Sequence, residues 1–109
     1  MKRERKTIAD INEKKWTDSF RGKAIDTYYH FREKGIEFTD HGVTRYMARM
    51  EEGEFITIHE KPFNYMQADG RLVKFYDNKA IIYNAETKEI VSCYVDQKRI
   101  KDDWSEIKN

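Results

Sequence analysis

Apolar positions recur every three or four residues in the first half of the chain and every second residue in most of the remainder. Ile8 and Ile11, at i and i+3 within a heavily charged stretch, predict a helix over residues 5–15. Phe20, Ala24, Tyr28 and Phe31 space a second helix over 20–34. The run Thr17-Asp18-Ser19 supplies capping residues before it, and Gly35 is suited to the left-handed position that ends it. Thr39 can cap a third helix from Asp40 to about Glu51, with Gly53 beyond it. Asp40 then lies in the first turn, where the helix dipole favours an anion. Val43, Met47 and Met50 share one face of that helix with Tyr46 beside them, while His41, Arg45 and Arg49 line another.

From Glu54 onward the period is two. The segments EFITIHE, FNYMQ, RLVKFY, KAIIYN and EIVSCYV predict strands by their β-branched and aromatic content. Lys61-Pro62, Ala68-Asp69-Gly70, Asp77-Asn78 and Asn84–Thr87 are short turn-forming separators, which implies hairpins and an antiparallel meander. In the last segment, alternation puts Val91, Cys93 and Val95 on one face and Ile90, Ser92 and Tyr94 on the other. The tail from Asp96, with Trp104 and Ile107, is expected to close the domain as a short helix. The fold class is α+β: N-terminal helices packed on one face of a four- to five-stranded antiparallel sheet.

Composition narrows the class. A chain of 109 residues makes one domain with a modest core, and its 38 % charged content exceeds the ~25 % of ordinary globular chains. No apolar run approaches the ~20 residues that span a bilayer, and the basic opening MKRERK lacks the apolar stretch of a signal peptide; a soluble chain is expected. Cys93 is the single cysteine, which excludes an intrachain disulfide and makes a reducing compartment the simpler assumption. No C-x-x-C, H-E-x-x-H or glycine-rich phosphate loop occurs, so the chemistry is expected to need neither metal nor cofactor. The net charge of +1 excludes a strongly basic nucleic-acid coat but leaves room for a local basic cleft. Residues 1–15 concentrate six Lys/Arg against three acids, either a solvated basic terminus or a contribution to an anionic partner.

The most informative spacing is His41-x-x-x-Arg45-x-x-x-Arg49. Residues four apart on a helix drift by ~40°, so neighbouring pairs can converge on one small anion. Imidazole is the side chain suited to proton transfer near neutral pH, and guanidinium matches phosphate oxygens with its planar fork. Phosphoryl transfer within RNA uses both. Arg71, Lys74 and Lys79, in the central hairpin, are candidates for lining a basic cleft; a solvated basic face is the competing account of all these charges. His59 is expected at a hairpin edge. Most tyrosines, with Trp16 and Trp104, are expected to pack, although tyrosine can also stack bases.

Taken together, FTDHGVTRYMARM and DGRLVKFYDNKAIIYNAETKEIVSCYV resemble the BECR-type nucleases, the small RNases grouped with barnase, EndoU, the tRNA-cleaving colicins and the RelE toxins. The closest pattern is that of the phage-associated and polymorphic-toxin branch. There a helix opens on an F-T-x-H-x-x-x-R-like motif, hairpins follow, and the last strand reads roughly (I/V)-V-(T/S)-x-Y. Those slots fall on Phe38, Thr39, His41 and Arg45, and on Ile90, Val91, Ser92 and Tyr94, so the resemblance spans roughly residues 38–95. Residues 1–37 then form a helical extension and 96–109 a tail.

The resemblance implies a metal-independent endoribonuclease toxin domain without cofactor. It would cleave by attack of the 2′-OH on the adjacent phosphate. In it His41 is the general acid/base, Arg45 the phosphate-stabilising cation, and Ser92 with Tyr94 the last-strand hydroxyls on the phosphate; Arg49, Arg71 and Lys74 would bind substrate. It further implies an RNA target, tRNA among the options, a cognate immunity protein or antitoxin, a cytoplasmic site of action, and delivery as the C-terminal part of a secreted or phage-borne protein. The alternative is a non-catalytic RNA- or protein-binding module of the same fold. An immunity-type inhibitor is disfavoured by the net +1, since inhibitors of basic nucleases tend to be acidic.

Overall fold

A computed structural model of the chain describes residues 2–108, with side chains placed from Lys6 onward; the charges of Lys2, Arg3, Glu4 and Arg5 therefore lie outside the described side chains. Four helices precede a five-stranded sheet: α1 (Lys2–Glu13), α2 (Asp18–Arg32), α3 (Asp40–Arg49) and α4 (Glu52–His59), then β1 (Tyr65–Gln67), β2 (Leu72–Tyr76), β3 (Lys79–Tyr83), β4 (Ile90–Tyr94) and β5 (Trp104–Glu106). The sheet is antiparallel, in the order β4-β3-β2-β1-β5. This is the expected α+β class.

The helices end where local chemistry ends them. The Thr17 hydroxyl accepts from Phe20 N–H and the Thr39 hydroxyl from Gly42 N–H, each satisfying a donor at a helix start. Gly35 takes φ +81° after α2. One face of the sheet buries Ile81, Tyr83, Ile90 and Cys93 against Tyr28, Phe31, Val43 and Phe55 from the helices and Phe38 from the link before α3. The other face carries a second, smaller cluster of Val73, Ala80, Ile82 and Trp104.

Three expectations are corrected. EFITIHE is not a strand but lies in α4. Glu51 and Glu54 form a reciprocal capping box at its start, and Phe55 and Ile58, three residues apart, are buried at 0 % and 2 % exposure. A buried stripe with helical spacing outweighs the β preference of Ile and Thr. The tail forms strand β5 rather than a helix, pairing with β1 and covering its otherwise bare edge. Its Trp104 is buried in the second cluster, with the indole N–H donating to Gln67 Oε1 at 3.0 Å. Finally, β4 does not alternate simply. Tyr83 pairs with Ile90 and Ile82 with Ser92, leaving Val91 as the extra residue of a bulge. Ile90 thus joins Cys93 on the helix-covered face, whereas Val91 packs with Tyr94 on the second cluster.

Candidate active site

The bulge and the helix caps build the site together. Before α3, Phe38 forms a parallel bridge with Ile90: the Thr39 N–H donates to Ile90 O at 2.9 Å, and the Ile90 N–H to Glu37 O at 2.8 Å. The helix that follows packs along β4, the edge strand. Both its ends are pinned to edge carbonyls, since the Thr39 hydroxyl donates to Ile90 O at 3.2 Å and Arg49 Nη1 to Cys93 O at 2.9 Å. Gly42 makes this approach possible, because a Cβ there would overlap the Ile90 carbonyl. With α3 held against the edge, His41 and Arg45 reach round it to the face that Ser92 and Tyr94 share.

There they line a cleft of about 510 Å³ with Arg71, from just before β2, and Ser92, Val91 and Tyr94. One wall comes from α1, through Lys6, Thr7 and Asp10; Glu89 supplies a carboxylate. Helix α1 is fixed by buried Ile11, by a hydrogen bond from the Thr7 hydroxyl to Phe38 O, and by an ion pair between Lys14 and Asp40 at 3.0 Å.

The charges in the cleft are unevenly paired. Lys6 is matched to Asp10 at 3.1 Å, and Arg71 lies 3.7 Å from Asp69. The exposed side chains of His41 and Arg45 have no hydrogen bond or ion pair among the described residues, so the cleft offers an imidazole and a guanidinium to an incoming anion. Burial alone would raise the Asp40 carboxyl, but the Lys14 hydrogen bond and the neighbouring His41 outweigh it and hold its pKa below the ordinary value. At Tyr94 the nearby Ser92 hydroxyl lowers the phenol's pKa. Lys101 and Arg49 act in the same direction, against the effect of burial.

Five of the seven candidate residues therefore meet: His41, Arg45, Arg71, Ser92 and Tyr94. The other two do not line the cleft. Arg49 spends its guanidinium on Cys93 O and on the Tyr94 ring, 5.2 Å from its centroid. Lys74 is buried on the helix-covered face, where its ammonium caps the end of α4 at His59 O and sits over the Phe63 and Tyr83 rings at 4.7 and 4.8 Å. Burial lowers its pKa. Lys79 pairs loosely with Glu54 at 3.8 Å. His59 is not at a hairpin edge but in α4, stacked between Phe55 and Tyr83 and hydrogen-bonded through Nδ1 to the Tyr83 hydroxyl at 2.6 Å. Cys93 faces the core, and burial pushes its thiol up to about 12.

Sequence reasoning missed Lys6, Asp10 and Glu89 on the cleft walls and Lys101 beside Tyr94. Residues 6 and 10 are one helical turn apart, so they share a face; nothing local says which element that face meets. Among the described residues, no group of three His, Cys, Asp or Glu side chains is arranged to hold a metal ion, and no helix is long and apolar enough to cross a membrane. No family model, curated protein or solved structure matches this chain.

Proposed function

We propose that the cleft cleaves RNA as a metal-independent endoribonuclease of the toxin type. The observation that carries the reading is the convergence of His41 and Arg45 from α3, Arg71 from just before β2 and the Ser92–Tyr94 pair from β4 on one open cleft. A scissile phosphate seated there meets two guanidinium groups for its non-bridging oxygens and the Ser92 and Tyr94 hydroxyls as further donors. The His41 imidazole is placed for proton transfer with the 2′-OH. Attack of the 2′-oxygen on phosphorus releases a 5′-OH product and leaves a 2′,3′-cyclic phosphate. In this reading the protein acts in the cytoplasm, and an immunity protein or antitoxin restrains it by covering the cleft.

The test is expression from a tightly repressed promoter, beside His41→Ala, with total RNA run on a denaturing gel in EDTA. Discrete fragments from the wild type, reduced by a factor of at least ~100 in the variant, are expected. Intact RNA in both lanes from folded protein overturns the nuclease reading. A binding module of the same fold is the second reading, favoured by the Glu89 carboxylate in the cleft and the net charge of only +1. It requires RNA binding that survives His41→Ala and no cleavage by either protein.

A further inference from the structure

Tyr94 is held in a way that packing alone does not demand. Its ring has a cation from each of two elements: Arg49 of α3, 5.2 Å from the centroid, and Lys101, 4.3 Å from it. Lys101 belongs to the segment that leaves β4 after Tyr94 and returns to the far edge of the sheet as β5. That segment is anchored by the Gln97 N–H on Asn78 O at 2.8 Å and by the Trp104 N–H on Lys101 O at 3.0 Å. The Lys101 ammonium also lies 5.9 Å from the Trp104 ring. Ser92, one pleat back, lies on the same face of the strand and lines the same cleft. On β3 the residue opposite Tyr94 is Ala80, which is apolar. The remaining charged groups of the cleft are Arg45 and His41 of α3, Arg71 just before β2, Lys6 and Asp10 of α1, the Lys14-bound Asp40, and Glu89.

We propose that Arg49 and Lys101 are positioning residues that clamp Tyr94 as the general acid of the cleavage step, with His41 as its base. The proposal rests on the ribonuclease reading above. His41 takes the 2′-OH proton as the 2′-oxygen forms its bond to phosphorus. The bond from phosphorus to the 5′-oxygen breaks, and that oxygen takes the Tyr94 proton. The phenolate left behind is held by Ser92, Lys101 and Arg49, and the imidazolium proton returns to it through solvent before the next turnover. Direction agrees with geometry: the groups around the phenol favour its charged form, which is what a proton donor at the leaving oxygen requires.

The experiment has a titration arm and a kinetic arm, both on the full chain. In the first, ring-labelled tyrosine is followed by NMR through an alkaline titration, with the Tyr94 signal assigned by Tyr94→Phe. Tyr94 is expected to ionise below free tyrosine, to move up in Lys101→Met, and to return in Lys101→Arg. In the second, Lys101→Met lowers kcat on RNA about tenfold with KM little changed, and Lys101→Arg restores it. The same Lys101→Met protein is unimpaired on a uridine 3′-(4-nitrophenyl phosphate) substrate, whose leaving group needs no proton. Tyr94 ionising like free tyrosine, or equal kcat losses on both substrates, overturns the clamp. A depressed, Lys101-dependent titration with no cleavage by the wild type overturns the nuclease reading, and the acid role with it.

Discussion

If the cleft receives a phosphate as proposed, Glu89 is the lining residue that most needs an explanation. It faces the same space as Arg45 and Arg71, and no described cation neutralises it by ion pairing. A carboxylate there would repel the proposed substrate's phosphate before and during reaction alike, so its removal would strengthen ground-state and transition-state binding together. Glu89→Gln is therefore expected to lower KM severalfold while leaving kcat within about twofold, measured on a short oligoribonucleotide. A kcat loss of a hundredfold would instead move the base role from His41 to Glu89.

His59 makes a second test at this scale, away from the cleft. Burial, reinforced by nearby Lys74, pushes its pKa down to about 4. An unfolded chain binds a proton at that imidazole below about 6.5, whereas the folded one does not until about 4. Stability at this site is thus full above the unfolded value and is lost as pH falls from there toward 4. Between pH 7.5 and pH 5 the loss, reduced by the group's partial exposure, is about 1 to 1.5 kcal/mol. Urea titrations at pH 7.5 and pH 5 should show that decrement in wild type and a smaller one in His59→Gln.

Among the elements, α3 was the most legible and α4 the least. Thr39, Asp40 and the Val43–Tyr46–Met50 stripe act within α3 itself, so spacing along the chain was enough to find it. In α4 the residues Phe55-Ile56-Thr57-Ile58 satisfy both periods. The decision came from the capping box and from burial under α2 and α3 side chains, such as Phe31 and Tyr46 against Phe55. The bulge at Val91 was illegible for a related reason: alternation is a property of an undistorted strand, and the extra residue is selected by docking of the 37–39 segment on Ile90.

The helix-to-edge contact yields a prediction with an internal control. Gly42→Ala forces α3 away from the Ile90 carbonyl, at a cost of about 3 kcal/mol and a Tm fall of about 10 °C or more. Gly22, within α2, has open space around its would-be Cβ. Gly22→Ala should raise stability by up to about 1 kcal/mol through helix propensity alone. Similar losses from both substitutions would mean that α3 does not sit on β4 as described.

Across the whole molecule, the cleft joins parts of the chain that are far apart in sequence: α1, the start of α3, the residue before β2 and the bulged β4. Local spacing could suggest His41 with Arg45 and Ser92 with Tyr94, but not that α3 would overlook the outer face of the sheet. That follows from sheet order, because β4 is an edge and α3 lies along it. The same geometry left Lys74 on the covered face, although Arg71, three residues earlier, opens onto the cleft.

This placement of charge fixes how the protein should respond to salt. The net charge is +1 and most lysines and arginines near the cleft are paired, so on the proposed reading long-range attraction of RNA would be weak and binding would depend on few contacts. Each phosphate neutralised on a single strand contributes a slope of about −0.7 to log affinity against log salt. On the proposed reading Arg45, Arg71 and, at the rim, Lys6 make two or three ionic contacts with RNA phosphates, which predicts a slope between about −1.4 and −2.1. Fluorescence anisotropy of a labelled oligoribonucleotide on His41→Ala, across a series of salt concentrations, reads that slope directly. Arg45→Ala should flatten it by roughly one phosphate's worth. A slope near −5 would require contacts well beyond the cleft, and the basic residues that precede Lys6 would be the first place to look for them.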